Sequence, residues 1–365
     1  MRVAVVQFAP KIGHVQENIR RAQALCDRLR PNTVDLVCLP EMIFTGYVFP
    51  DAPSISPYLE EPRTGPTSRF CSELSARLRC YVVAGYPERL PPNEIERVHL
   101  EDGKEIERVG ANAAALYGPD GAFVGEYRKT NLYETDMTWA KPGTGFTTFQ
   151  LPPPLGALTL AICMDLNTQP PAVWSSLRTG PYELAAYCAA QRTRVLVLVN
   201  AWLDSKDGRE DEPDWRTVNY WALRLRPLWA RVVREGENED AGDEDDEDDA
   251  DGSDESMERP GTVNQGRQPE EELVVVVCNR TGTENGRPLM RFLRSTERDA
   301  HQSFAYASLL GITFAGSSSL FSLRPNSGRP HLLHAMNRRQ EGIEVWEYPN
   351  LKAAIPENGA SVDEE

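Results

Sequence analysis

This chain of 365 residues is short of long apolar runs, paired cysteines, histidine and, in one window, positive charge. No stretch approaches the eighteen or so uninterrupted apolar residues of a membrane-spanning helix. The apolar run "RVLVLVNAW" is strand-sized, so no membrane partner is expected. The seven cysteines, at 26, 38, 71, 80, 163, 188 and 278, never fall in a CxxC spacing. That argues against a zinc site or a disulfide framework and predicts reduced thiols. There are only five histidines, so a cysteine nucleophile has few chances of finding one as its base. Between Glu235 and Glu258 lie 15 acidic residues and no basic ones, and outside that window the net charge of −16 almost vanishes. The body of the chain therefore lacks the basic surface that a nucleic-acid partner would need. Its first residues run straight into "VAVVQF", so no leader is predicted, and a cytoplasmic setting, open also to the nucleus, is expected.

What the chain does have is alternation of buried-strand and amphipathic-helix segments, the pattern of an α/β fold. "RVAVVQFAP" reads as a strand. "ENIRRAQALCDRLR" puts Ile19, Ala22, Leu25, Cys26 and Leu29 on one helical face, and "VDLVCLPE" returns as a strand. "TSRFCSELSARLR" and "CYVVAGYPE" repeat the pair, with Phe70, Leu74 and Leu78 at helical spacing. A hairpin is predicted around Pro119-Asp120-Gly121, further strands at "GALTLAIC", "RVLVLVNAW" and "ELVVVVCN", and a helix around "NYWALRLRPLWARVV". From about 235 to 272 the chain is too charged and too poor in apolar groups to offset the entropy of ordering. It reads as a disordered acidic insertion within a single domain spanning 1–350, with a loose tail at 351–365.

Three residues combine reactive groups with suggestive surroundings. Glu41 in "LVCLPEMIFTGY" ends a strand among apolar neighbours, which would raise its pKa toward neutrality. Lys129 in "GEYRKTNLY" also ends a strand. Cys163 ends "LTLAIC", which breaks at once into "MDLNTQPP". A sharp strand-to-helix turn would expose the sulfur as nucleophile elbows do, with Pro170 and Pro171 in the first turn of a following helix and the local dipole favouring a thiolate. Taken singly, each residue has a plainer structural reading: a solvated acid, a turn charge, a small core residue. Together they supply a base, an ammonium and a sulfur without any histidine.

The flanking text carries a resemblance. "AVVQFAPKIGHVQENI", "LPEMIFTGY", "EYRKTNLY" and "AICMDLN", in that order, resemble the signature blocks of the nitrilase superfamily of carbon–nitrogen hydrolases, with its triad at Glu41, Lys129 and Cys163. "CNRTGTE" and "FAGSSS" resemble its closing strands, so the likeness covers most of residues 1–324. "AICMDLN" and "TVNYWALRLRPLW" look most like the fungal branch that deamidates N-terminal Asn or Gln of proteins, exposing Asp or Glu for arginylation and degradation. The resemblance implies a four-layer α-β-β-α sandwich, commonly paired as a homodimer through its helical layer, and no metal or organic cofactor.

It also implies a mechanism. Glu41 takes the thiol proton, Cys163 attacks the side-chain amide, Lys129 and a backbone N–H at Met164 hold the oxyanion, and water resolves the thioester. A second acid that orients the lysine is common in the superfamily. Glu134 and Asp136 in "YETDMTW" are both candidates, and Met137 stands where this branch would be expected to carry another acid. For an N-terminal substrate, Asp165 is the candidate contact for the α-ammonium, with a turn cap as its plainer reading. Tyr47 and Trp139 are candidate pocket walls, and Asn167 a polar pocket group or a cap. The partners expected are thus protein or peptide N-termini, with the acidic loop a candidate contact for a basic protein. The rival readings are a small-molecule amidase, ω-amidase or nitrilase, and a non-catalytic scaffold acting through that loop.

Overall fold

The first strand shows how the layers arise: Val3 and Val5 pack inward between two sheets, while Ala4 and Val6 face outward under helices. Both faces are covered, so the strand reads as a continuous apolar run. The structure, a computed structural model, describes residues 1–99, 103, 105–176, 180–231, 271–284 and 311–349. The expected acidic insertion, up to residue 270, and the tail from 350 onward lie outside the described residues.

The principal elements are β1 (Arg2–Gln7), α1 (Val15–Cys26), β2 (Leu36–Cys38), α2 (Pro66–Leu78), β3 (Tyr81–Arg89), β4 (Gly110–Tyr117), β5 (Phe123–Arg128), β6 (Thr147–Gln150), β7 (Ala157–Ile162), α3 (Glu183–Ala190), β8 (Val195–Asn200), α4 (Trp215–Leu223), β9 (Leu273–Asn279), β10 (Ser319–Leu323), β11 (His331–Ala335) and β12 (Gly342–Glu347). They form two six-stranded sheets, ordered β12-β1-β2-β3-β4-β5 and β11-β10-β9-β8-β7-β6. In each sheet three central strands run parallel: β1, β2 and β3 in one, β7, β8 and β9 in the other. One layer of helices follows from the cluster that joins Ala22, Cys26, Phe70, Leu74 and Leu78 of α1 and α2 to the outer face of the first sheet. The other follows from Leu184, Ala185, Cys188, Val218 and Trp221 of α3 and α4 packed on the second. The expected α-β-β-α sandwich is therefore the observed architecture.

Two local expectations need correction. The helix predicted around "NYWALRLRPLWARVV" starts earlier, at Trp215, because Asp214 caps it by accepting the Thr217 N–H at 3.2 Å. It also stops at Leu223, before Pro227, which sits in a separate short turn at Arg226–Leu228. Pro170 and Pro171 do not open a helix either: Cys163–Leu166 is itself a single 3₁₀ turn, and the next helix begins only at Glu183. The strands β11 and β12 had no sequence reading. Among the described residues, no helix is long and apolar enough to cross a membrane, and no cluster of His, Cys, Asp and Glu could hold a metal ion.

Candidate active site

Parallel strands deliver their carboxyl ends to one rim of a sheet, where ligands of open α/β sheets gather. Here the rims of both sheets contribute. Glu41 follows β2, Lys129 follows β5, and Cys163 follows β7 with φ at 45°, in the left-handed region that a non-glycine residue occupies only under constraint. The constraint is visible: Asn200, at the end of β8, accepts the Cys163 N–H at 3.0 Å. Close approach matters on the other side too. A Cβ at Gly85 of β3 would lie 2.5 Å from the Glu41 Cα, so only glycine lets the Pro40–Met42 backbone cross there.

The side chains meet. Lys129 Nζ lies 2.7 Å from Glu41 Oε1 and 2.6 Å from Asp136 Oδ2, and all three residues are fully buried. Glu41 Oε2 accepts the Ala201 N–H at 2.7 Å. Asn112 donates to Glu41 Oε1 at 2.6 Å and to Asp136 Oδ1 at 3.0 Å. Cys163 keeps 8% of its surface exposed, whereas Glu41, Lys129, Asp136 and Asn112 keep none. A cavity of about 640 Å³ walled by His14, Glu17, Arg20, Tyr58 and Glu60 lies apart from the cluster and contains none of its residues.

Electrostatics suit proton transfer. Burial raises the Glu41 pKa, and the nearby Asp136 adds to the rise against the pull of Lys129. Burial lowers the ammonium's hold on its proton, but Asp136 and Glu41 more than reverse that, so Lys129 stays charged. Burial also pushes the Cys163 thiol well up, reinforced by Glu41 and opposed by Lys129 and the Ala201 N–H. The expected dipole-favoured thiolate is therefore not the resting form. The turn is too short to supply such a dipole, and the thiol needs a base at the moment of attack.

The second acid beside the lysine is Asp136; Glu134 is exposed, its carboxyl raised by partial burial. Asp165 corrects another expectation. Its carboxylate accepts from Tyr127 Oη (2.8 Å) and from the N–H groups of Thr130 (3.1 Å), Asn131 (2.8 Å) and Ile162 (2.8 Å). With four donors in place it stitches the nucleophile turn to the lysine loop and has no lone pair to give an ammonium. Trp139 is fully buried and offers a substrate no face. Tyr47 is also buried: its hydroxyl donates to Asp136 at 3.2 Å, and its ring lies 5.6 Å below Lys129 Nζ. Asn167 ends the nucleophile turn, donating to the Met164 sulfur and accepting from Tyr220 Oη. Met164 sits in the first turn, where an N–H has no acceptor within its own helix. Sequence reasoning missed Asn112, Asn200, Ala201 and Glu284. Glu284 accepts the N–H groups of Tyr47 and Val48 at 3.0 and 2.8 Å and pairs with buried Arg280. Only their positions at strand ends hinted at Asn200 and Ala201.

A four-layer sandwich that gathers a carboxylate, an ammonium and a thiol on its sheet rims has the equipment of a cysteine-dependent hydrolase. The profile described as Carbon-nitrogen hydrolase matches residues 2–182. A protein N-terminal amidase from Schizosaccharomyces pombe is 34% identical over 241 residues, covering 62% of this chain and 80% of that protein. The chain belongs to the carbon–nitrogen hydrolase family. A protein N-terminal amidase from Saccharomyces cerevisiae is 26% identical over 226 residues, which is 56% of this chain but only 45% of the relative. The crystal structure of an N-terminal amidase with an Asn-Glu-Ala peptide superposes with a TM-score of 0.65 at 21% identity, covering 95% of this chain and 97% of that one. That likeness speaks for the fold.

Proposed function

We propose that this hydrolase deamidates the N-terminal Asn, and also Gln, of proteins or peptides. The observation that carries the reading is the 34% identity running along 80% of the S. pombe protein N-terminal amidase. Its chemistry follows from the cluster. Glu41 takes the Cys163 proton as the sulfur bonds to the side-chain carbonyl carbon. The oxyanion forms against the third N–H of Lys129 and the Met164 N–H, each such donor being worth roughly a hundredfold to a thousandfold in rate. Glu41 returns the proton to the departing nitrogen, and ammonia leaves a thioester. The same carboxylate then deprotonates a water that replaces the sulfur and gives Asp or Glu. In the cell this product would carry an N-terminus marked for degradation, which fits a cytoplasmic setting.

With Asp165 saturated, Glu134 is the acid we assign to the α-ammonium. It is exposed on the loop between Lys129 and Asp136, beside Tyr133, whose ring lies 6.5 Å from that of Tyr47 under the lysine. The test compares ammonia release from an Asn-initiated peptide and from the same peptide acetylated at its N-terminus. Turnover of the free peptide alone is expected, with mass spectrometry reporting Asp at position one. Equal rates on the two peptides would transfer the enzyme to the small-amide or ω-amidase class.

A further inference from the structure

Asn112 lies in the bland text "GANAAALY", outside every motif that marks the site. It sits on β4 opposite Pro87 of β3, fully buried, and its carbonyl accepts the Lys129 N–H at 2.8 Å. Its amide donates to Glu41 Oε1 at 2.6 Å and Asp136 Oδ1 at 3.0 Å, while Lys129 Nζ contacts that same Glu41 oxygen at 2.7 Å and Asp136 Oδ2 at 2.6 Å. The four groups close a ring of ammonium, carboxylate, amide and carboxylate. The amide's orientation is set by chemistry, since reversing it would press a carbonyl oxygen against two carboxylates. Its Oδ1 is buried without a hydrogen-bond partner, so the residue is held in place for its donors.

We propose that Asn112 is a positioning residue for the hydrolytic reaction: its NH₂ group supplies the donors that a single ammonium lacks, fixing Glu41 and Asp136 around Lys129 so that Glu41 meets the thiol as a base. A lysine has three donors, and two are committed to Glu41 and Asp136. If the amide were absent, the two carboxylates would draw on the third, the one the oxyanion needs, or one carboxylate would take up a proton. Glu41 is the vulnerable one, because burial already favours its neutral form. The charged or titratable groups that face it are Lys129 and Asp136 from the β5 side, Cys163 past β7, Tyr47 from the loop after β2, and Arg280 past β9, with the Ala201 N–H past β8. Asn112 is the neutral side chain that bridges both acids.

The inference rests on the Cys163–Glu41 chemistry and not on the identity of the amide substrate. Asn112→Leu removes the donors; Asn112→Asp keeps the shape, adds a third acid, and serves if the leucine variant does not fold. Two profiles are recorded on the full chain over about pH 5 to 9: ammonia release from an Asn-initiated peptide, and alkylation of Cys163 by iodoacetamide, located by peptide mapping. The acidic limb of both is expected to move up by about one pH unit in Asn112→Leu and further in Asn112→Asp, with kcat at pH 6 falling roughly tenfold and KM little changed. Folded variants whose limbs stay where the wild type has them, with any loss confined to stability or KM, would overturn the proposal. If the wild type releases no ammonia from the peptide while the alkylation limb still moves, the peptide reading fails and this one stands. If both variants deamidate with unshifted limbs, the reverse holds.

Discussion

Two buried ionic clusters in this molecule are built from similar parts and behave differently. At the active site, two carboxylates, Glu41 and Asp136, share one ammonium, and a neutral amide completes the ring. In the second cluster, Asp204 and Asp214, on the segment between β8 and α4, face two guanidinium groups from just before β12. Arg338 lies 3.1 Å from Asp204 and 3.5 Å from Asp214, and Arg339 also pairs with Asp204. Asp214 is further held by the Ser205 hydroxyl at 2.6 Å and N–H at 2.7 Å. The two buried aspartates are matched by two guanidinium groups, the half-buried Arg339 also reaching exposed Glu210, and guanidinium does not give up its proton, so the arrangement can only clamp chain to chain. The active-site cluster carries an excess of acid and a thiol beside it, so a proton has somewhere to go. Charge balance, more than burial, separates scaffold from chemistry.

The largest expected effect comes from breaking the unbalanced cluster. Cys163→Ala and Glu41→Gln should each cut ammonia release by at least about a thousandfold. Cys163→Ala should keep a denaturant midpoint close to that of the wild type. Glu41→Gln should be about 1–3 kcal/mol less stable, because its NH₂ would stand against the Ala201 N–H or against the donors of Asn112 and Lys129. A Glu41→Gln enzyme that still turned over would mean that another group takes the thiol proton. Breaking the balanced cluster should do the opposite. Arg338→Met leaves Asp204 and Asp214 short of a counter-charge and is expected to cost about 3–5 kcal/mol of stability in urea unfolding, with kcat per folded molecule unchanged. If Arg338→Met lowered kcat and spared stability, the division between the clusters would collapse.

The central strands and the three reactive residues were legible because each depends on local text: an apolar run, its abrupt end, and a reactive side chain just past it. Asn112 was not legible, because what distinguishes it is a pair of hydrogen bonds to residues 71 and 24 positions away. Glu284 bonds Tyr47 and Val48 across 237 and 236 positions and was invisible for the same reason. The choice between Glu134 and Asp136 stayed open because both lie on one short loop, and only the fold decides which points inward. β12 is hard to see in the sequence because "GIEVWE" is neither a continuous apolar run nor a clean alternation, Val345 and Trp346 standing side by side, and its partner β1 lies at the other end of the chain. Asp165 was misjudged for a related reason: an acid two residues past a nucleophile invites a substrate role until its oxygens are found occupied.

Asp165 also gives the smallest effect, and one with a sign. Burial raises its pKa from 3.8 to about 6 despite the donors that favour the ionised form. Between those two values the folded chain holds a proton that the unfolded chain has released, so this residue's contribution to stability is full below pH 3.8 and falls as the pH climbs through 6. Asn at this position cannot titrate. It can still accept the Thr130 and Asn131 N–H groups, but its NH₂ would stand where the Ile162 N–H needs an acceptor, a loss of about 1–3 kcal/mol. The wild type should therefore exceed Asp165→Asn in unfolding free energy by more at pH 4.5 than at pH 7, the gap narrowing by about 2 kcal/mol between them. Glu41 and Glu60, whose pKa values burial also raises, are common to both proteins and cancel in the difference. A gap that stayed constant across the range would show that Asp165 is ionised throughout. It would then belong with the balanced, non-titrating cluster around Arg338 and not with the proton-exchanging one two residues away.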